Sequence, residues 1–189
     1  MLIEKIIEKV KIKFKNDKKR LNHILGVHRT AIKLSRFYKE NLFQAQVTAL
    51  WHDYTKNEPL EFHISCLTPQ IIKKYESTPH IYHAFSAAII LKKEFKIDNV
   101  KILNALRKHV WGHKVMNKLD KIILLSDKIE PQRKYTQVDY FRKLAFIDLN
   151  QAVYQILDFH YNFHQKKGDV IHKEQKEILL NLKNKIRKK

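Results

Sequence analysis

"TALWHDYTK", residues 48–56, sets a histidine and an aspartate side by side inside an otherwise apolar, helix-like run. Leu50 and Trp51 argue for burial there, yet a buried polar group without a partner costs roughly 1–3 kcal/mol, and an unpaired charge costs more. A compensating partner for His52 and Asp53 is therefore expected elsewhere in the chain.

Outward from this stretch the sequence reads as helix. Ile3, Ile6, Ile7, Val10 and Phe14 form one amphipathic stripe and Ile24, Val27, Ala31 and Leu34 a second, both with the 3.6-residue period of a helix that buries one face. Further helical windows are predicted over about 41–55, 68–76, 80–95, 99–110, 117–130, 135–146, 148–165 and 169–187. With three glycines and four prolines in 189 residues, there is little turn chemistry for a many-stranded fold. The stretch "NEPLEFHISCLTP" (57–69), punctuated by Pro59 and Pro69, reads as an irregular connection, and the terminal "KNKIRKK" (183–189) as a frayed, solvated helix end. No internal repeat and no Gly/Ser linker is present. The expected architecture is an all-α single domain over 1–189, with a helical bundle as its core.

Composition narrows the function classes. A chain of 189 residues can bury a substantial core without disulfides, and the single cysteine, Cys66, fits a reducing compartment. The amino-terminal "MLIEKIIEKVKIKFKN" carries Glu4 and Glu8 and lacks a continuous apolar core, which argues against a signal peptide. No stretch approaches the ~18 uninterrupted apolar residues of a membrane span. A soluble, cytoplasmic protein is expected. The net charge of +19 is carried mostly by lysines spread along the whole chain. It leaves two readings open, a compositional bias toward lysine or a preference for polyanions, and a phosphate-rich small substrate satisfies the second as well as RNA would.

Among eleven histidines, the informative ones have apolar neighbours. His23 lies in "RLNHILGVHRTA", His52 and Asp53 end the third helical window, His83 lies in "HIYHAFSAAIIL", His109 in "NALRKHVWGH" and Asp127 in "KIILLSDKIEPQR". Neutral imidazole with carboxylate is the donor set expected for iron, manganese or zinc, and helical bundles supply such ligands from facing helices. Adjacent side chains on a helix diverge by about 100°, so His52 and Asp53 reach one centre only at a helix end or with metals on two sides. Taken one at a time, each histidine also reads as a hydrogen-bonded core residue, and Asp127 as a helix-end partner of Arg133 or Lys128. The order His, His-Asp, His, His, Asp is what lifts the set above chance.

With these residues in place, the sequence resembles the HD-domain metallophosphohydrolases. More narrowly, "RLNHILGVHRTAIKLS", "ALWHDYTK", "HAFSAAIIL" and "ALRKHVWGHKVMNKLDKIILLSDKIEPQR" are similar to the YqeK family, over about residues 18–165, with the D-x-I-E-P-x-R ending as the most specific element. The resemblance implies a helical HD domain with a metal site in its core and symmetrical hydrolysis of diadenosine tetraphosphate to two ADP by a di-iron centre, manganese or zinc being the other metals considered. It implies that His23, His52, Asp53 and Asp127 hold one metal, and that Asp53 bridges to a second held by His83 and His109. In some bacteria such a domain is fused behind a nicotinate-mononucleotide adenylyltransferase, an activity not expected of this chain. Val110 and Trp111, after the fourth histidine, and Ser126, before Asp127, depart from the family pattern and bear on substrate fit rather than on metal binding.

Phosphoanhydride hydrolysis needs an activated water and a clamp on developing charge, both of which a metal pair supplies. Asp53 and Lys56 are the expected catalytic residues. Lys56, one turn beyond the doublet, Arg133, with its bidentate fork, and Arg20, three residues before His23 on the same face, are the expected phosphate binders. His28 and His113 read as surface or outer residues, and His63, His80, His160, His164 and His172 as ordinary ones. The expected partner is a dinucleoside polyphosphate, with no membrane and no specific nucleic acid. Two alternatives remain: another HD-type nucleotidase or phosphodiesterase, and a non-catalytic basic module that binds RNA. The absence of Gly-rich phosphate loops, aromatic RNA-stacking motifs and zinc-finger spacing weakens the last.

Overall fold

Side-chain caps decide where most of the long helices start. Asp17, Asn41, Asn99, Asn117 and Asp148 each accept a backbone N–H of the first turn that follows, satisfying donors that a helix end leaves orphaned. In the computed structural model, which describes residues 1–187, the order is α1 (Leu2–Lys13), α2 (Lys18–Phe37), α3 (Leu42–Trp51), α4 (Leu60–Cys66), α5 (Pro69–Lys74), α6 (Tyr82–Phe95), α7 (Val100–Lys108), α8 (Lys118–Ile129), α9 (Val138–Leu144), α10 (Leu149–Lys167) and α11 (Lys173–Arg187). A 3-10 turn, Pro79–Ile81, precedes α6, and no strand occurs among the described residues. The all-α expectation holds.

One expectation fails. The stretch 57–69 is not irregular throughout, because α4 occupies Leu60–Cys66. Pro59 is the N-cap of α4 and Pro69 is the first residue of α5. Proline lacks only an N–H that the first turn leaves unpaired, so at these places it opens helices rather than breaking them. At the other end α11 stays helical and solvated through Arg187, and the rest of the expected frayed end, 188–189, lies outside the described residues.

The helices pack around two buried apolar clusters. One joins α2 (Val27, Ala31, Leu34) to α8 (Ile122, Ile123, Leu125), α10 (Val153, Ile156) and α11 (Ile178, Leu182). The other joins α1 (Ile6, Val10) to α3 (Val47, Leu50, Trp51), α6 (Ala87, Leu91) and α7 (Ile102, Leu106). Trp51 is 0% exposed, stacks on Tyr54 with centroids 3.7 Å apart, and donates its indole N–H to Ala87 O at 3.0 Å. That pins the end of α3 against α6. His52 and Asp53 of the opening motif meet side chains of α2, α6, α7 and α8 at the end of α3. No helix among the described residues is long and apolar enough to cross a membrane.

Candidate metal centre

The end of α3 resolves the divergence that adjacent side chains face within a helix. The helix stops at Trp51, His52 is its C-cap and Asp53 already lies in the turn that follows. Both side chains therefore turn into the same space, where they are 0% and 2% exposed. His23 comes from α2, His83 from the first turn of α6, His109 from the C-cap of α7 and Asp127 from the last turn of α8. All six residues expected from sequence converge, and all are buried.

Their geometry is ordered by Asp53. Its Oδ2 lies 3.5 Å from Nε2 of His23 and 3.7 Å from Nε2 of His52. Its Oδ1 lies 3.3 Å from Nε2 of His83 and 3.6 Å from Nε2 of His109. Within each pair the two Nε2 atoms stand 3.2 Å apart. Asp127 joins the first pair, its Oδ1 at 3.2 Å from His23 Nε2 and 3.8 Å from His52 Nε2. The carboxylate of Asp53 thus separates two donor sets, His23/His52/Asp53 and His83/His109/Asp53, each close enough to hold one ion.

The donor chemistry fits cations. Nδ1 of His52, His83 and His109 donates to the backbone carbonyl three residues earlier, of Ala49, His80 and Leu106, at 2.7, 2.5 and 2.7 Å. A carbonyl only accepts, so in the neutral ring the proton sits on Nδ1 and the Nε2 lone pair faces inward. Lone pairs at 3.2 Å across each pair repel unless positive charge lies between them. Asp53 Oδ1 makes the same point, being buried with no hydrogen-bond partner among the described residues.

Electrostatics points the same way. Burial pushes His52 down to about 3 and His83 to about 4, and neighbouring Asp53 offsets this only in part, so both are neutral donors at neutral pH. Burial also opposes charge on His23, but its hydrogen bonds to the Asp127 and Asp53 carboxylates outweigh it and push the group up to about 9. That position draws a positive charge. Asp53 and Asp127 are held well below the usual carboxylate range although burial works against them, Asp53 chiefly by His52 and Lys56 and Asp127 chiefly by Lys128 and His23.

The expected phosphate binders surround this cluster, each already engaged with it. Lys56 Nζ donates to His83 Nε2 at 3.3 Å and lies 3.6 Å from Asp53 Oδ1. Arg20 Nη1 pairs with Asp53 Oδ2. Arg133 donates from Nη2 to Asp127 Oδ1 and from Nε to Asp127 O, both at 2.9 Å. Asp127 therefore does have Arg133 and Lys128 (3.1 Å) as partners, as the plainer reading of that residue expected, and it also faces the histidines.

Two cavities flank the centre. One, about 530 Å³, is bounded by Lys56, His109, Asp127 and Arg133 on the metal side and by Trp111, Tyr135, His160 and Tyr161 opposite. The other, about 390 Å³, is lined by Arg20, His23, Glu130 and Arg133 among others. Arg133 belongs to both.

The sequence reading missed several residues here. Glu130 is 1% exposed and accepts from His23 Nδ1 at 3.2 Å. Lys128, buried enough that its pKa falls in spite of Asp127 beside it, lines the larger cavity. His80, His160 and His164, read as ordinary, also line that cavity, and His160 Nε2 is buried without a hydrogen-bond partner among the described residues. A lysine next to an aspartate on an apolar helix, and an acid just before a proline, were the available signals for Lys128 and Glu130. His160 has no such signal, because only the packing of α10 against α8 brings it there. His63 and His28 are accounted for by Ser86 at 2.9 Å and Gln46 at 3.2 Å, His172 is buried against Trp111, and His113 is exposed.

Comparison with known proteins finds one family model, several relatives and a similar solved structure. The family model described as "HD domain" matches residues 20–132. Bis(5'-nucleosyl)-tetraphosphatase, symmetrical, of Bacillus subtilis (strain 168) is 33% identical over 151 residues, 79% of this chain and 81% of that protein. A probable nicotinate-nucleotide adenylyltransferase/Ap4A hydrolase of Mycoplasma genitalium is 34% identical over 143 residues, 72% of this chain and 41% of that longer protein. Among solved structures, a predicted HD superfamily hydrolase involved in NAD metabolism from Clostridium acetobutylicum superimposes with a TM-score of 0.86 at 32% identity, covering 96% of this chain and 97% of that one.

Proposed function

This chain belongs to the HD-domain family and, within it, to the YqeK group, and on that premise we propose that it is a metal-dependent phosphoanhydride hydrolase that cuts diadenosine tetraphosphate symmetrically into two ADP. The observation that carries the reading is the division of Asp53, one oxygen toward each histidine pair. Two divalent ions, iron in this reading, would supply Lewis acidity toward the phosphoryl oxygens and lower the pKa of the attacking water. His23, His52 and Asp127 would hold one, His83 and His109 the other, with Asp53 shared.

The remaining steps belong to side chains. Lys56 lines the larger cavity and its Nζ donates to His83 Nε2, where its ammonium would bind the phosphate under attack. Once cations neutralise Asp53 and Asp127, the guanidinium groups of Arg20 and Arg133 would be free to turn from those carboxylates to polyphosphate oxygens, Arg133 from its place between the two cavities. The larger cavity, with its aromatic far wall, would seat one nucleoside and thereby set the register of cleavage. We read residues 1–189 as one domain, since α1 packs on α3 and α10 on both α8 and α11.

Product analysis tests this directly. With metal-loaded protein, diadenosine tetraphosphate should give ADP alone, and in labelled water the solvent oxygen should enter one ADP of each pair. ATP plus AMP as primary products would rule out symmetrical cleavage.

A further inference from the structure

Three of the four imidazoles are aimed by carbonyls three residues earlier on their own segment, and the fourth is not. His23 Nδ1 donates to a carboxylate 107 residues away, Oε1 of Glu130, at 3.2 Å. The local sequence explains how an acid reaches that place. Pro131 follows Glu130, and a residue before proline is kept out of the helical region. Glu130 accordingly ends α8 with φ −53° and ψ 157°, and its side chain faces α2.

Glu130 is held at both ends. Its Oε2 accepts the Gln132 N–H at 2.7 Å. Its carbonyl accepts Arg142 Nη2 at 2.8 Å and the Arg133 N–H at 3.0 Å. Space for the carboxylate comes from Gly26, three residues beyond His23 on α2. A Cβ there would stand 2.5 Å from Glu130 Oε2 and 3.3 Å from its Cδ. A glycine inside a helix costs about 0.8–1 kcal/mol relative to alanine, and nothing in the conformation of α2 calls for one at this point. The carboxylate does.

We propose that Glu130 is the positioning residue of His23, that Gly26 is the clearance that admits it, and that this pair controls the cation position at His23/His52/Asp127 separately from the one at His83/His109. The inference rests on the two-cation reading above. A carboxylate behind a ligating imidazole fixes the ring and raises its basicity, and loss of such a partner typically weakens metal binding about 10–100-fold. The other three rings have neutral carbonyl partners built into the backbone, which no side-chain substitution removes.

The test measures metal content and stepwise affinity, by chelator competition with Mn²⁺ or Fe²⁺ and elemental analysis, with activity not required. The His83→Ala variant isolates the His23 position. In that background Glu130→Ala should weaken the remaining ion about 10–100-fold, and Glu130→Gln, whose amide oxygen still accepts from Nδ1 but carries no charge, by a smaller factor. In a His23→Ala background, which isolates the other position, neither substitution should change affinity. Gly26→Ala should weaken the His23 position, and adding it to Glu130→Ala should cost nothing more, because the colliding group is gone. Unchanged affinity at the His23 position in Glu130→Ala, equal weakening at both positions, or a Gly26→Ala effect that persists without the carboxylate would overturn the proposal. If the alanine variants do not fold, the near-isosteric Glu130→Gln carries the same comparison. Should the wild type bind a single ion, the two-cation function fails, while the effect of Glu130→Gln on a His23-bound ion still decides the positioning role.

Discussion

The cluster around Asp53 and the far wall of the larger cavity border the same space and are built to different rules. In the cluster, every imidazole is fixed by something rigid, a backbone carbonyl behind three of them and a clamped Glu130 behind the fourth, and Trp51 locks the end of α3 beside Asp53. In the wall, α10 presents rings that pack edge to face, as His160 does on Tyr135 at 5.3 Å; His160 Nε2 has no hydrogen-bond partner among the described residues, His164 bonds Asp169 at the surface, and Tyr135 is tied by its O–H to Lys128 O. The first arrangement suits a reaction centre, where an error of about 1 Å costs orders of magnitude in rate. The second suits a surface that recognises a planar group mainly by contact.

The sharpest way to break this contrast is to remove the residue shared by both donor sets. Asp53→Ala should abolish activity and lower metal content at both positions, as read by elemental analysis on reconstituted protein. Single losses, in His52→Ala or His109→Ala, should each remove about one ion. A fully active Asp53→Ala variant would end the metal mechanism. Next in size is Arg133→Ala. Loss of one charged clamp on the transition state typically costs about 2–4 kcal/mol, so kcat/KM should fall about 30- to 900-fold while metal content stays at the wild-type level.

The wall should respond in a different currency. Trp111→Ala removes a ring that borders the cavity and stacks on His172 with an interplanar angle of 4°. If the cavity seats a base, stacking worth about 1–3 kcal/mol is lost, so KM rises more than kcat falls and both ions are retained. His160→Ala should likewise leave metal content unchanged. Loss of an ion in either variant would mean that wall and cluster are a single unit.

The same contrast explains what could be read in advance. His23, His52, His83, His109, Asp53 and Asp127 were legible because each interrupts an apolar helical run, and a buried polar group requires compensation. The helices were legible because few glycines and prolines interrupt a 3.6-residue period. Glu130 was not, since an acid before Pro131 looks like any turn residue until Gly26 is seen to make room for it. The segment α4 was lost for a related reason: proline opens helices as well as ending them, and a helix of seven residues carries too short a pattern to decide. The wall was illegible because its rings share no period and no motif. They meet only after α10 and α11 pack onto the rest.

The smallest expected effect tests whether the cluster is insulated from its own supports. Asn99 caps α7, its Oδ1 accepting the N–H groups of Lys101 at 3.0 Å and Ile102 at 3.3 Å. His109 lies at the opposite end of that helix, where Leu106 O aims its ring. Asn99→Ala removes an N-cap, a change that typically costs about 0.5–2 kcal/mol of stability, which chemical denaturation would register as a lower midpoint at unchanged slope. The loss is confined to the first turn. The far end is held by Ala105 and Leu106, both 0% exposed in the core, and by the hydrogen bond that Leu106 O accepts from His109 Nδ1. Below the unfolding transition, metal affinity and kcat/KM should therefore match the wild type. A variant whose metal affinity fell along with its stability would show that the cap helps to aim His109, and that the rigidity of the cluster extends through the whole of α7.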